Sequence, residues 1–587
     1  MNARVETLYR QALAAAQSGN DRARALKLAN ALCDVEPEHF DHQQIAGIAA
    51  LEVEDADAAL AHFRIAVRLA NAPHFAAAAW GGLGRAELLR DNPTGAEAAF
   101  RRSLSLVYDY APALVGIAEA LERQRRFAEA ETAGHRALER GHDEPRLRLV
   151  LGHACIGQDK LDAAETEFKA AIAQQPEAQE PRFGLGLIAK IRGDLDGAMS
   201  QFRAVLDEVP EYPGYAQFAF LNHFSAGDGD LRLLERCYAR LRADAPAAAR
   251  SDLLFALAKA YDDTGETDKA SERLREANRL EATRVDHDPA PWEAFAQRLE
   301  TLFTRKFITR FPGAGLAELS PIFIVSMPRS GSTLMEQMLA AHSQIRGGGE
   351  IGRFYPIALE LGRKWGARPE FPELDAAVAE PDLRTAGREY AKQTAALRLL
   401  KPRFTDKTLN NYFYIGLIHM MLPDARIVHM RRHPLATALG IYRQRFTAAV
   451  NYSFDLDHIV RHYRAYARLM EHWRKAIPEA FIELFYEQLV AEPEQELHRA
   501  LDYLGLDFEP ACLEFDKLDR PVHTASVIQV REPLNTRGLA RHERYRELLA
   551  PVAEALREEI ADYERELADA QNAAAGSPAS TTAFAKT

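Results

Sequence analysis

Small and large apolar residues recur four positions apart through the first half of the chain. In the clearest pairs an alanine precedes a phenylalanine: Ala59/Phe63, Ala96/Phe100, Ala164/Phe168 and Ala198/Phe202. Ala25/Ala29 and Ala130/Gly134 keep the same register. The second members stand at 29, 63, 100, 134, 168 and 202, so successive steps are 34, 37, 34, 34 and 34 residues. Because a small residue lets two helices approach and a larger one fills the gap a turn later, this pattern predicts repeated pairs of packed helices.

The period of these pairs resembles that of a known repeat family. A spacing of ~34 residues is typical of the two-helix tetratricopeptide repeat. Weaker units follow at Leu233–Leu241 and Lys269–Leu280. We therefore expect an N-terminal all-α solenoid over residues 1–285, and the resemblance implies that its concave surface binds a protein or peptide. A generic helical bundle with accidental alanine spacing is the alternative.

The hydrophobic pattern changes after residue 285. Two prolines interrupt the helical period at His287–Trp292, a further helix is predicted at about Trp292–Phe307, and glycine and proline come together in Phe311–Pro321. Short apolar runs then alternate with helical stretches, which predicts an α/β domain with a parallel sheet. The predicted organisation after the solenoid is a linker with a helix at 286–320, an α/β domain at 321–570 and a disordered tail at 571–587.

Composition narrows the classes of partner. The net charge of -12 disfavours a general nucleic-acid or membrane-surface binder, because such proteins need a basic face. The four cysteines form no CxxC pair and no metal-ligand spacing, so we expect neither a disulfide framework nor a metal site. The sequence has no apolar run of about 18 residues and no apolar signal core near its start. These features predict a cytoplasmic protein without a membrane span.

A short loop at the start of the α/β domain has the composition of an anion site. The apolar run 322–327 (IFIVSM) predicts a buried strand, and a helical pattern follows residue 333. Free backbone N–H groups and the helix dipole favour negative charge at such a junction. The loop side chains and backbone suited to anion binding belong to Arg329, Ser330, Gly331, Ser332 and Thr333. A serine-rich cap on an ordinary helix is the alternative.

A second basic junction occurs about 100 residues later. The run 425–430 (ARIVHM) predicts another buried strand, followed by Arg431 and Arg432 at the start of a helix. Ligands of α/β sheets bind at the carboxyl ends of the strands, so these arginines are candidate anion ligands. A solvated basic helix start is the alternative.

The two junctions together resemble the sulfotransferases, and the loop PRSGSTL is similar to the 5′-phosphosulfate loop of the tyrosylprotein branch. Arg432 matches that family's arginine for the donor's 3′-phosphate. Gly440 stands where the family has a serine, so one hydroxyl contact is expected to be missing unless Thr437, Arg443 or Arg445 replaces it. The resemblance spans about residues 321–550.

Further single residues match the tyrosylprotein branch. The resemblance makes Glu350, in RGGGE, the general base and Lys407, in FTDKT, a charge stabiliser, together with Arg329. It adds donor contacts from Tyr486, Ser526 and Arg541, although Glu532 replaces a lysine of the family pattern. A surface carboxylate, a solvated lysine and a core tyrosine are the respective alternatives for Glu350, Lys407 and Tyr486.

The resemblance implies a function. The donor would be 3′-phosphoadenosine-5′-phosphosulfate, with adenosine 3′,5′-bisphosphate as product, no metal, and a hydroxyl acceptor in a protein tyrosine, a glycan or a small molecule. The repeats would recruit the acceptor or another partner, and a homodimer stays open. The alternatives are a nucleotide-binding repeat scaffold without turnover and a phosphotransferase, which the absence of a GxxxxGK[ST] motif disfavours.

Overall fold

Consecutive helices make up the first part of the chain, as the alanine pattern predicts. The computed structural model describes residues 7, 9–11, 14, 22–209, 214–242, 245–364, 379–399, 401–446, 450–518, 534–536 and 538–576. They fall into two compact units, Met1–Val205 and Leu206–Thr587. The helices of the first unit are Arg22–Val35, Phe40–Glu52, Ala56–Leu69, Pro73–Leu89, Pro93–Leu106, Ala111–Arg123, Phe127–Glu139, Pro145–Ile156, Leu161–Gln174, Gln179–Arg192 and Leu195–Glu208, the last of which crosses the division.

The repeated phenylalanines are the wedges between these helices. Phe168, at 0% exposure, lies on helix Leu161–Gln174. Its ring fills the space beside Gly152 and Gly184, on the preceding and following helices, and a Cβ atom at either glycine would collide with it. Each phenylalanine of the register is completely buried, as is its partner alanine. The repeat period therefore marks the places where adjacent helices touch.

The second unit begins with helices and continues into a sheet. Its first helices are Tyr215–Leu221, Gly229–Arg240, Ala247–Asp263, Thr267–Val285, Ala290–Leu302 and Arg305–Ile308. The two weak repeat units thus form helices, but these helices group with the sheet rather than with the first unit. The compact unit that contains the sheet starts at Leu206, well before the predicted linker.

The sheet is entirely parallel among the described strands. It consists of β1 (Ile322–Val325), β2 (Ile345–Arg346), β3 (Arg403–Asp406), β4 (Arg426–Arg431) and β5 (Phe481–Phe485), in the order β2-β3-β1-β4-β5. β1 is completely buried and pairs with β3 on one side and β4 on the other. Because these strands are parallel, the carboxyl ends of β1, β3 and β4 lie at one edge. The strand order reverses direction around β1, and α/β sheets bind ligands at the carboxyl edge beside such a reversal.

Helices cover the sheet, and the last one enters the predicted tail. They are Ser332–Ala340, Phe354–Lys364, Glu380–Gln393, Ile415–Met421, Pro434–Tyr442, Leu456–Ala476, Tyr486–Ala491, Pro493–Leu504, Arg546–Ala555 and Arg557–Gly576. The predicted strands differ slightly from the observed ones: β1 ends before residues 326 and 327, and β4 is shifted one residue later than 425–430. Residues 571–576 of the predicted tail are helical, and 577–587 lie outside the described residues.

Candidate active site

The phosphate loop joins β1 to the helix that begins at Ser332. Two loop residues have positive φ angles, 65° at Arg329 and 94° at Gly331. Glycine adopts this conformation readily, whereas an L-residue such as Arg329 does so at a cost of about 1–2 kcal/mol. Ser330, Ser332 and Thr333 are buried. The structure therefore has the strand, turn and helix start of an anion site, with backbone strain at its arginine.

Tyr486 lies against this loop. It begins the helix after β5, and a Cβ atom at Gly331 would stand only 2.5 Å from Cδ2 of its ring. The guanidinium carbon of Arg432 lies 4.5 Å from the centroid of the same ring, a cation–π contact. Tyr486 thus connects the phosphate loop with the second basic junction, and glycine at 331 is what allows the ring to come so close.

Arg432 is tied directly to the phosphate loop. It donates from Nη1 to the carbonyl oxygen of Arg329 at 3.0 Å and from Nη2 to that of Gly538 at 2.8 Å. Its Nε is buried and has no hydrogen-bond partner among the described residues. The two anchors, 103 residues apart in sequence, therefore lie side by side, and one buried donor of Arg432 has no acceptor within the described part of the chain.

Four arginines share this region and are called the arginine cluster below: Arg329, Arg432, Arg443 and Arg541. Burial, followed by the positive charges of Arg432, Arg443 and Arg541, lowers the pKa of Arg329 to about 10. That group is still charged at neutral pH. Several cations held together at the carboxyl edge of a sheet produce a strong local field for an anion, despite the negative net charge of the chain.

Gly440 has a steric explanation. A Cβ atom at this position would lie 2.9 Å from Cβ of Arg329, so a serine here would press on the phosphate loop. Of the residues proposed to replace the missing hydroxyl, Thr437 faces Ser330, with 3.3 Å between their hydroxyl oxygens. Arg445 instead donates to Glu281 at 2.9 Å. Glycine at 440 therefore lets the helix Pro434–Tyr442 lie directly against the phosphate loop.

Lys407 and Glu350, the two residues predicted for catalysis, form an ion pair. Lys407 follows β3 directly, and its Nζ donates to Oε1 of Glu350 at 3.0 Å. The side chain of Lys407 is 2% exposed, whereas that of Glu350 is 44% exposed. The backbone N–H of Lys407 also donates to the carbonyl of Gly349 at 2.8 Å. A buried cation and a solvent-reaching carboxylate thus stand together at the edge that carries the arginine cluster.

A buried carboxylate fixes the glycine segment before Glu350. Oε1 of Glu336 accepts hydrogen bonds from the N–H of Gly349 at 2.8 Å and from the hydroxyl of Thr405 at 2.7 Å. Glu336 belongs to the helix of the phosphate loop, and Thr405 belongs to β3. One side chain therefore sets the position of Glu350 relative to both the loop and Lys407.

Asp406 performs the same function on the other side of Lys407. It accepts hydrogen bonds from the hydroxyl of Tyr390 at 2.9 Å, from the side chain of Thr408 at 2.7 Å and from Nδ2 of Asn411 at 3.1 Å. Burial raises the pKa of Asp406, although the hydrogen bonds from Thr408 and Tyr390 oppose that rise. Such a network is costly to break, so it holds the end of β3 rigid.

Arg541, the late basic residue predicted to contact the donor, lies on the 3-10 helix Arg541–Tyr545. Its Nε is 3.7 Å from Oδ2 of Asp262 and, like that of Arg432, is buried without a hydrogen-bond partner among the described residues. The positive charge of Arg443, followed by burial, lowers the pKa of Arg541. Ser526 and Glu532 fall outside the described residues.

Several neighbours of the site carry no signal in the sequence. Asp262, Glu336 and Asp406 are carboxylates buried among polar partners, and each bonds to residues distant in the chain or on another element. Charged residues are common on helices, so nothing in the local pattern separates these from solvated ones. Asp406 differs from the other two, because its position at the end of a strand, directly before Lys407, is a signal that the sequence carries.

In the described part of the chain, the side chains that could hold a metal ion lie outside the candidate site. The group of side chains there that could hold a metal ion is Glu36, His39 and His42, in the first unit, and it includes no residue of the site above. The four cysteines are free and buried. No described helix has the length and apolar character needed to cross a bilayer.

Comparisons with known proteins match both parts of the chain. Residues 321–510 match the model of the sulfotransferase family, and residues 46–111, 91–145 and 149–214 match that of the tetratricopeptide repeat. An uncharacterized protein of Aquifex aeolicus is 35% identical over 350 residues, covering 58% of this chain and 45% of that protein. Protein-tyrosine sulfotransferase 2 of Gallus gallus is 27% identical over 248 residues, covering 38% and 63%.

Two further matches cover less of this chain than the Aquifex aeolicus protein does. Heparan sulfate glucosamine 3-O-sulfotransferase 6 of Homo sapiens is 29% identical over 187 residues, covering 26% of this chain and 53% of that protein. The solved sulfotransferase domain of the Synechococcus PCC 7002 olefin synthase is 21% identical with a TM-score of 0.28, covering 40% of this chain and 90% of that one. The chain spans about half the length of the curated relatives it matches.

The predicted fold class is confirmed by these matches and by the parallel sheet. The helical repeats precede an α/β domain whose phosphate loop and second basic junction follow the adjacent strands β1 and β4. Residues 321–510 therefore form a domain that matches the sulfotransferase family model, and it follows helices that match the tetratricopeptide repeat model.

Proposed function

We propose that the chain transfers a sulfuryl group from 3′-phosphoadenosine-5′-phosphosulfate to a hydroxyl acceptor. The observation that carries this proposal is the contact between Arg432 and the phosphate loop, together with the ion pair of buried Lys407 and half-exposed Glu350 after the neighbouring strand β3. Two candidate anion-binding elements and a cation–carboxylate pair at the carboxyl edge of the sheet support the proposal. A doubly phosphorylated donor needs the first two, and transfer to a hydroxyl uses the third.

The residues present fit the donor. Buried donors without partners are rare in folded proteins, yet the Nε atoms of Arg432 and Arg541 are both of this kind among the described residues. An anion with several oxygens would satisfy them. We assign the 5′-phosphosulfate end to the loop residues Arg329, Ser330, Gly331, Ser332 and Thr333, and the 3′-phosphate to Arg432 with Arg541. Tyr486 would complete the donor site by packing beside the loop, and Ser526 stays a sequence prediction.

The proposed chemistry follows from charge. The acceptor oxygen bonds to sulfur while the bond from sulfur to the 5′-phosphate oxygen breaks, and the acceptor's proton passes to Glu350. Arg329 and the loop N–H groups stabilise the negative charge that develops on the departing phosphate. Lys407 stabilises the sulfuryl oxygens and would release Glu350 for its role as a base. General-base help is typically worth about 10²–10⁴-fold in rate.

We propose a protein tyrosine or a sugar hydroxyl as the acceptor class, with a small-molecule hydroxyl also open. The relatives named protein-tyrosine and heparan sulfate glucosamine sulfotransferases support the first two. The tetratricopeptide repeats support a protein partner for the first unit. A cytoplasmic location and a homodimer stay predictions.

A scaffold that binds nucleotide without turnover is the second candidate. Gly440, which removes the family's hydroxyl, and the closed ion pair of Lys407 with Glu350 favour it. Both functions predict donor binding, so only transfer distinguishes them.

The test is transfer of radiolabelled sulfate from the donor to proteins and glycans of a cell lysate, followed by mass spectrometry of the labelled products. The proposal predicts label on a hydroxyl, and loss of that label in Glu350→Gln with product binding retained. Glu360→Gln, an exposed glutamate on helix Phe354–Lys364, is the matched control and should transfer normally. Tight bisphosphate binding with no labelled product would support the scaffold instead.

A further inference from the structure

One carboxylate from the helices before the sheet reaches into the arginine cluster. Asp262, on helix Ala247–Asp263, is only 1% exposed. Its Oδ2 accepts from Nη2 of Arg443 at 2.6 Å, and its Oδ1 accepts from Nη2 of Arg544 at 2.9 Å and from the hydroxyl of Tyr545 at 2.8 Å. Nε of Arg541 lies 3.7 Å from Oδ2. Three cations and a hydroxyl thus surround one buried anion.

Asp262 lies between arginines that repel each other. Arg443 is the largest cause of the lowered pKa of Arg541, so the two cations repel each other strongly. Burial alone would raise the pKa of Asp262, but the charges of Arg443 and Arg541, with the Tyr545 hydrogen bond, outweigh burial and lower it. The carboxylate is therefore ionised at neutral pH, and it supplies the countercharge that lets both guanidinium groups stay close to Arg329.

The helix that follows Asp262 makes contacts that do not involve the arginine cluster. The adjoining helix Thr267–Val285 docks on the end of helix Pro434–Tyr442: Nδ2 of Asn278 donates to the carbonyl of Tyr442 at 2.9 Å, and Arg445 pairs with Glu281. Because these buried bonds fix the helix pair, Asp262 is presented from a rigid element rather than drawn in by the arginines alone.

We propose that Asp262 is a positioning residue of the donor site, which orients Arg443 and Arg541 toward the donor's 3′-phosphate. Arg443 then takes over the anchoring contact that Gly440 cannot provide. This inference rests on the proposed function, and it makes the helices before the sheet part of the donor site. The preorganised guanidinium groups would bind the phosphate without first overcoming their mutual repulsion.

The test compares two nucleotides that differ only in the 3′-phosphate. Isothermal titration of Asp262→Asn should show roughly tenfold weaker binding of adenosine 3′,5′-bisphosphate, the effect of about one charged hydrogen bond. Affinity for adenosine 5′-monophosphate should stay within about twofold of wild type, since that ligand lacks the group that the two arginines would hold. In the transfer assay the donor KM should rise while kcat changes little. Asp268→Asn, an exposed aspartate on the next helix, is the control and should match wild type.

A second variant separates a positioning role of Asp262 from a loss of folding. Tyr545→Phe removes one hydrogen bond to Asp262 but leaves its charge, and it should weaken bisphosphate binding by a smaller factor with the same selectivity. Equal weakening of both nucleotides in both variants would mean a structural role only, and tighter bisphosphate binding would mean that Asp262 competes with the phosphate. Either result overturns this proposal. Wild-type protein that fails to bind the bisphosphate would instead contradict the proposed function.

Discussion

Different kinds of contact stabilise the interior of each of the two units. In the first unit, packing repeats: each wedge such as Phe168 touches helices immediately before and after its own. In the second unit, the decisive contacts join residues that are far apart, such as Arg432 with Arg329 and Arg443 with Asp262. Stability in the repeats therefore comes from apolar volume, whereas the geometry of the site comes from buried charge.

This difference between apolar packing and buried charge indicates which surfaces of each unit can bind a partner or a ligand. A repeat array that is stabilised by buried apolar wedges tolerates changes on its exposed surface, which is where such an array presents a binding surface. Burying an ion pair costs free energy unless each charged group has its hydrogen-bonding partners. Buried ion pairs are therefore expected where their charges serve a purpose such as binding an anion. The predictions below test this contrast in order of expected effect.

The largest effect is expected in the repeats. Phe168→Ala should lower the free energy of unfolding of the first unit by about 3–5 kcal/mol, because the ring leaves a cavity between two glycines. Denaturant unfolding would measure this loss. Tyr108→Ala, which removes an exposed aromatic, should cost far less. If Phe168→Ala weakened bisphosphate binding before the repeats unfold, the contrast between the units would be wrong.

The next effect is expected in the site. Lys407→Ala should reduce kcat by about 10²–10³-fold, the usual cost of losing one preorganised charge stabiliser. Initial rates of sulfate transfer at saturating donor would measure the fall in kcat. The control is Lys392→Ala, which removes an exposed lysine. Unchanged kcat in a folded Lys407→Ala variant would remove this residue from the proposed chemistry.

A smaller effect is expected where the helix approaches the phosphate loop. Gly440→Ser restores the family's residue but places its Cβ against Arg329. Overpacking of this kind costs about 1–3 kcal/mol, so the melting temperature should fall and bisphosphate binding should not improve. Tighter bisphosphate binding by Gly440→Ser at unchanged stability would show that the missing hydroxyl, rather than close packing, distinguishes this chain.

The smallest effect is expected for surface ion pairs of the repeats. Nη2 of Arg148 lies 2.7 Å from Oδ2 of Asp143. The hydrogen bond from Arg148 is the main cause that lowers the pKa of Asp143 to about 2. Asp143→Asn should cost only about 0–1 kcal/mol at pH 7. Because the folded pKa is lowered, the contribution is complete above the unfolded pKa of about 3.9 and disappears as pH falls through about 2. A larger loss at pH 7, or one that persists at pH 2, would show that charge also stabilises the repeats.

Much of the fold was predictable because its signals are local. The register of Phe63, Phe100, Phe168 and Phe202 predicted the repeat helices, and the run before Arg329 predicted the central strand. Part of the site was predictable because Arg329, Lys407 and Arg432 follow β1, β3 and β4, and the carboxyl ends of parallel strands lie at one edge of a sheet.

The remainder depends on tertiary contacts. Asp262 sits in an ordinary helical pattern, and only the docking of its helix on the sheet turns it into a partner of Arg443. The steric role of Gly440 likewise depends on how closely its helix approaches Arg329. The domain boundary near residue 285 stays a prediction from periodicity, since packing groups the helices from Leu206 onward with the sheet.

The central claim is that the phosphate loop and Arg432 bind the two ends of one doubly phosphorylated adenosine nucleotide. Calorimetric titration of the whole chain with adenosine 3′,5′-bisphosphate, compared with ATP and Mg²⁺, tests it most directly. We expect saturable 1:1 binding of the bisphosphate that weakens sharply in Arg329→Ala and in Arg432→Ala, and little response to ATP. Binding of ATP with Mg²⁺ alone, or bisphosphate binding indifferent to both substitutions, would contradict the account.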